Sequence, residues 1–217
     1  MTIKNRFLVA IASLAALAGA AMTAAPNNAG SYSGDPYPLD TCPVSGEKLG
    51  KDAVTVVLEG MSDAKLNGTQ VKFCCPKCEA SFKADPAKYT GKMSEAIIKA
   101  AGPFALKNCI VMKDEVLEAD AKAVVHQNRV YRLCCKKCVG RFEKDPAKYV
   151  KEYETQVIAA QKPAYKLATC PISGKALGEG AVDMVLQGRL VRVCCAGCVG
   201  PVKADPAAAF AKIDAAK

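Results

Sequence analysis

The chain has no tryptophan, a single histidine and no cysteine before residue 42. With six phenylalanines and seven tyrosines among 217 residues, a unit of about 50 residues cannot bury much core, so something must staple it. The sole histidine, His126, falls near a predicted hairpin turn and reads as a surface residue. No nucleophile and base pair, glycine-rich phosphate loop or carboxylate pair is present. Catalysis has no candidates beyond the thiols, and an enzyme is not expected. The missing early cysteine leaves nothing for lipid attachment.

Against these absences stand twelve cysteines, a number that divides without remainder into three quartets. Cys42 goes with Cys74, Cys75 and Cys78; Cys109 with Cys134, Cys135 and Cys138; Cys170 with Cys194, Cys195 and Cys198. Each quartet is one cysteine, a gap, then Cys-Cys-x-x-Cys. The pairs recur every 60 residues, the mark of a tandem array. Soft thiolates at this spacing make metal binding the leading reading.

The first residues point to export. Lys4 and Arg6 precede an apolar, uncharged run from Phe7 to Met22, followed by Thr23, Ala24 and Ala25, the pattern of a secretory signal peptide over 1–25. The run is short and alanine-rich for a membrane span, so cleavage is expected over an uncleaved anchor. A soluble periplasmic or secreted protein follows, without stable membrane insertion. Residues 26–36 are turn formers with almost nothing to bury and read as a flexible leader.

The formal charge of +9 becomes +7 once Lys4 and Arg6 are gone. Three divalent ions on four thiolates each would bring it to about +1, and on three thiolates each to about +4. The lysines are spread rather than blocked, so they read as a solvated surface and not as a nucleic-acid site.

Three modules follow, at 37–103, 104–164 and 165–217, the first two including a linker helix. Tyr37, Phe104 and Tyr165 open them, each with a leucine two residues on and then the first cysteine. Repeats one and three continue as Cys-Pro-x-Ser-Gly through Gly46 and Gly174, a turn that points backbone N–H groups at sulfur. Repeat two has Cys109-Ile-Val-Met-Lys, without the glycine.

Runs at 54–58, 123–126 and 182–186, then 71–73, 130–133 and 191–193, predict hairpins closed by Asn67-Gly68, Gln127-Asn128 and Gln187-Gly188. An insertion, Gly60 to Leu66, lengthens the first tip. The third cysteine of each tight cluster opens a helix that buries Phe82 or Phe142. Asp85-Pro86, Asp145-Pro146 and Asp205-Pro206 start the next helical turn. Gly200-Pro201 is expected to interrupt the helix of repeat three. Residues 90–103 and 150–164 read as linker helices with Met93, Ala96, Ile97 and Ala100, and Val150, Tyr153, Val157 and Ile158, on their apolar sides. The fold class is α+β.

Cys-Pro-[Val/Ile]-Ser-Gly, a hairpin, Phe-Cys-Cys-x-x-Cys, an aromatic four residues on and Asp-Pro-x-x-Tyr together resemble the TRASH and YHS families of small metal-binding domains. The resemblance covers most of 37–217, three times over. It implies treble-clef-like modules and a link to trafficking, resistance to or sensing of heavy metals. It also implies Cys42, Cys74 and Cys78 and their counterparts as primary ligands, with Cys75 in the variable slot of Cys-x-x-x-Cys.

An exported chain with an even cysteine count could instead hold disulfides. Local geometry argues for metal: three sulfurs converge on one hairpin-to-helix corner, and adjacent cysteines form only a strained disulfide. Cys75, Cys135 and Cys195 are fourth-ligand candidates, the alternative being a thiol on the opposite side of the strand. Lys72, Lys77, Arg132, Lys136, Lys137 and Arg192 flank the corners and would lower thiol pKa, or are ordinary surface residues. Zn²⁺ suits such sites, as does another thiophilic ion such as Cu⁺. The leading expectation is an exported binder of thiophilic metal for sequestration, delivery or sensing, with metal ions and an exported protein as partners. The alternative is modules stapled by zinc or disulfides that serve protein–protein interaction; thiol redox exchange is the weakest reading, for want of a thioredoxin-like βαβ setting.

Overall fold

A computed structural model describes residues 32–216; the expected signal peptide and residues 26–31 lie outside the described residues. Three antiparallel hairpins recur: β1 (Val54–Val57) with β2 (Gln70–Phe73), β3 (Lys122–His126) with β4 (Arg129–Leu133), and β5 (Val182–Leu186) with β6 (Arg189–Val193). Each is a separate two-stranded sheet followed by helices, α1 (Pro76–Ala84) and α2 (Ala87–Ala100), α3 (Lys136–Lys144) and α4 (Pro146–Gln161), α5 (Val199–Ala204) and α6 (Pro206–Ala215). The architecture is α+β. Among the described residues no helix is long and apolar enough to cross a membrane.

The strand registers make the repeats comparable residue by residue. Val54 faces Phe73, Lys122 faces Leu133 and Val182 faces Val193, each at the end next to the paired cysteines. At the other end, Gln127 and Asn128 turn with φ of 49° and 62°, and Gln187 and Gly188 with 49° and 72°. Two positive values in succession match the right-handed strand twist of a tight hairpin. The insertion in repeat one forms a short 3₁₀ turn at Ala64–Leu66, and Asn67 Oδ1 accepts the Met61 N–H at 2.9 Å.

Two of the three expected helix starts have the expected form, while α2 begins one residue later, at Ala87, with Pro86 before it and Asp85 Oδ1 accepting the Lys88 N–H at 3.4 Å. Asp145 and Asp205 accept from the N–H groups of Lys148 and Ala208 at 3.2 and 3.0 Å, capping α4 and α6 with proline at the first position. Phe82 and Phe142 are fully buried, and Tyr89 and Tyr149 stack on them at 5.9 and 6.1 Å. Of the linker faces, Met93 and Ile97, and Tyr153 and Val157, are buried, whereas Ala100 is exposed.

Gly200-Pro201 does not interrupt the third helix. A 3₁₀ turn takes Ala196–Cys198, and α5 begins at Val199 and runs through Pro201. A proline in the first turn removes only an N–H without an intrahelical acceptor, so the dipeptide delays the helix instead of breaking it.

The modules close into a ring. Val57 of β1 packs on the core cluster of the third module, around Leu186 and Val193, Val125 of β3 on that of the first, around Phe73 and Phe82, and Val185 of β5 belongs to that of the second, with Tyr131 and Phe142. These three valines hold equivalent register positions, so every hairpin lends the same site to a neighbour. The linker helices reinforce this order, α2 meeting β3 and α4 meeting β5 and β6.

Where the hairpin tips meet runs the segment that begins at Tyr32, and here the flexible-leader reading is corrected. Tyr32 and Asp35 are buried. The Ser33 N–H donates to Gly68 O at 2.8 Å, the Asp35 N–H to Gln127 O at 3.0 Å, and Asp35 Oδ1 accepts from the Gln187 N–H at 2.9 Å. One short strap therefore touches all three tips. Gly34 is required there: its φ is +69°, and a Cβ would collide with the Gln127 carbonyl. Arg129, 2% exposed, donates to Asp35 Oδ1 at 3.0 and 3.2 Å, to Val185 O at 2.7 Å and to Glu154 Oε1 at 2.9 Å. Such satisfied geometry is what a desolvated ion pair needs. Turn-forming composition concealed the strap because its partners are 35 to 171 positions away.

Candidate metal centres

Each centre is assembled from two places. A loop before the hairpin supplies the first sulfur, and the corner where the second strand enters a helix supplies the rest. In repeat one the loop closes by Cys42 N–H to Glu47 O at 2.8 Å and Gly46 N–H to Cys42 O at 2.9 Å; repeat three repeats this with Lys175 and Gly174 at 2.7 and 2.9 Å. Gly46 and Gly174 have φ of 76° and 71°, which only glycine adopts without strain. Repeat two solves the same closure with one more residue: the Cys109 N–H reaches Glu115 O at 2.9 Å. A longer loop turns without a left-handed residue, so repeat two needs no glycine at this place.

The sulfurs of Cys42, Cys74 and Cys78 lie within 4.8 Å of one another, as do those of Cys109, Cys134 and Cys138 and those of Cys170, Cys194 and Cys198. Three sites that could hold a metal ion thus arise from three copies of one motif. The knuckle sulfurs Cys42, Cys109 and Cys170 are buried, while the strand-end sulfurs are half-buried.

Cys75, Cys135 and Cys195 stand outside these triads but beside them. Cys75 Sγ is 3.9 Å from Cys74 Sγ, Cys195 Sγ is 3.8 Å from Cys194 Sγ, and Cys135 Sγ is 3.5 Å from Cys138 Sγ. Within the triads, Cys74 and Cys134 lie 3.5 Å from Cys78 and Cys138, and Cys194 lies 3.8 Å from Cys198. Sulfurs held about 2.3 Å from a tetrahedral ion are about 3.8 Å apart, so the donor set and its spacing fit a thiophilic metal.

The surroundings divide the sulfurs electrostatically. Burial pushes the Cys42 thiol up, but the amides of Ser45, Cys74 and Val44 and the Ser45 hydroxyl outweigh it and bring it down to about 7. Cys170 falls to about 6, the Ser173 hydroxyl and amide prevailing over burial. Cys109 is also lowered, against burial, by the amides of Cys134, Met112 and Val111. Burial, with the neighbouring sulfurs, raises Cys78 and Cys198 to about 12 and Cys134 to about 11.

The flanking basic residues act differently from the expectation drawn from their charge. Lys77 and Lys137 lower Cys75 and Cys135 through their backbone amides, after the larger effect of the Cys78 and Cys138 amides. The Arg192 guanidinium is engaged by Asp183 at 2.7 Å. His126 is half-buried rather than on the surface, edge-on to Phe142 at 6.0 Å, and burial lowers its pKa.

Two hydroxyls outside the cysteine quartets also belong to the site. Ser45 Oγ lies 3.4 Å from Cys74 Sγ, and Ser173 Oγ 3.2 Å from Cys194 Sγ. Their place in the repeated Cys-Pro-x-Ser-Gly was the available signal. Repeat two has Met112 there, 41% exposed, so its strand-end sulfur has no such neighbour.

No protein-family model matches the chain, nor does any curated protein or solved structure.

Proposed function

We propose that this is an exported protein that carries thiophilic metal ions, zinc or copper(I) among them, on three cysteine centres for sequestration, delivery or sensing. The observation that carries the reading is that three separate copies of the motif each bring a buried knuckle sulfur to two sulfurs of a strand-to-helix corner, all within 4.8 Å. The order of knuckle, hairpin and helix supports TRASH/YHS-like, treble-clef-like modules. Export rests on the charged, apolar and small-residue pattern of residues 1–25.

The ring and its hub favour carriage over stapling. Each module has its own buried apolar cluster, and the strap binds all three tips through groups remote from the sulfurs, so the fold has supports that do not depend on an ion. The test is elemental analysis of protein from the export compartment, paired with thiol titration under denaturing conditions. Three ions and twelve free thiols are expected; six disulfides without metal would overturn the reading. Stripping the metal with a chelator should leave the far-ultraviolet circular dichroism unchanged, whereas unfolding would mark the ions as staples.

A further inference from the structure

The three centres are not equivalent, and the second differs in a way that bears on chemistry. Cys135 precedes α3 as its N-cap residue, and Cys138 lies in the first turn of this nine-residue helix. Their sulfurs are 3.5 Å apart. Cys138 is fully buried while Cys135 is partly open to solvent. Cys135 lies outside the three-sulfur group that contains Cys138, so an ion held by that group leaves Cys135 free to react. In the first and third modules Cys75 and Cys195 also lie 3.9 and 3.8 Å from the strand-end Cys74 and Cys194. There the strand-end sulfur also has a serine hydroxyl beside it, where the second module has Met112.

We infer that Cys135 and Cys138 form a thiol–disulfide exchange pair, which reacts with a small-molecule disulfide and couples its reduction to release of the metal from the second centre. This rests on the metal-carrier reading above and adds its regulation. The Cys135 thiolate attacks one sulfur of the incoming disulfide, forming a mixed disulfide and expelling the first thiolate. Cys138 then attacks the Cys135 sulfur, and the second thiolate leaves. Two cysteine thiols lose two electrons and two protons, and the disulfide takes them up to become two thiols. With Cys138 committed to the new S–S bond, only Cys109 and Cys134 remain from the triad. Two sulfurs are too few to keep a closed site.

The experiment has two arms on the full mature chain. Metal-free reduced protein is treated with glutathione disulfide, quenched by alkylation at intervals and digested for mass spectrometry. The Cys135–Cys138 disulfide should appear before the Cys75–Cys78 and Cys195–Cys198 pairs. A first disulfide at Cys134–Cys138, or equal rates in the three modules, would overturn the assignment. In the second arm, zinc-loaded protein receives the same reagent, and released zinc is read with a chromophoric chelator. One of three zinc ions should leave in step with the Cys135–Cys138 disulfide, and Cys135→Ser should abolish that disulfide. Oxidation with all zinc retained would sink the coupling. A chain that takes up no zinc fails the carrier reading and the release step together, while the first arm still decides whether Cys135 and Cys138 are the reactive pair.

Discussion

Asp35 is the carboxylate on which the hub's buried charge rests. Its Oδ1 accepts from two nitrogens of buried Arg129 and from the Gln187 N–H. Asp35→Asn would leave the guanidinium with Glu154 as its only anion, and an uncompensated buried charge costs about 3–5 kcal/mol. Denaturant unfolding should show a loss near the low end, about 3 kcal/mol, because Glu154 remains. The thiols give a second prediction at this scale. Cys42 and Cys170 sit below the ordinary 9.0, at about 7 and about 6; their contribution to the metal-free fold is present above 9.0 and lost as pH falls through those values. Cys78 and Cys198, raised from 9.0 to about 12, contribute below 9.0 and lose it as pH climbs toward 12. The melting temperature of reduced, metal-free protein should rise from about pH 6 to pH 9 and fall beyond.

The knuckle loop is the element on which the repeats diverge. Gly46 and Gly174 close five-residue steps with positive φ, whereas the second loop takes six residues and needs none. Gly174→Ala should cost about 1–2 kcal/mol in thermal unfolding, and Met112→Ala in the second loop should lie within about 0.5 kcal/mol of the parent, as exposed substitutions do. The cost at Gly174 is conformational alone, because a Cβ there meets no atom within 4 Å. The hairpins were legible in the sequence because β-branched runs flank turn residues. The 3₁₀ opening of repeat three was not, because which N–H groups a proline spares depends on where the helix starts.

At the scale of the molecule, the strap decides how the modules are held. Tyr32 is buried in the third cluster, and its hydroxyl donates to Lys203 O at 2.8 Å. Tyr32→Ala should therefore cost about 3 kcal/mol, as removal of a buried aromatic does. Hydrogen exchange will show where: the Ser33, Asp35 and Gln187 amides, which bond across the hub, should exchange faster, while the ladder amides within each hairpin keep their protection. Uniform loss across all three hairpins would mean that the modules fold as one unit rather than as parts clasped by the strap.

The sequence by itself determined the repeat, the twelve sulfurs, the hairpins and the helix caps, because each depends on residues close in the chain. Turn chemistry, strand alternation and aspartate-proline caps are local physics, and a 60-residue period needs no structure to be seen. Only the tertiary structure decided which sulfurs lie within 4.8 Å, that Val57, Val125 and Val185 close a ring, and that Tyr32 to Asp35 forms its hub. These contacts span long separations along the chain. Whether a serine neighbours a thiol or an aspartate meets a buried arginine is fixed by packing, which composition and spacing do not encode.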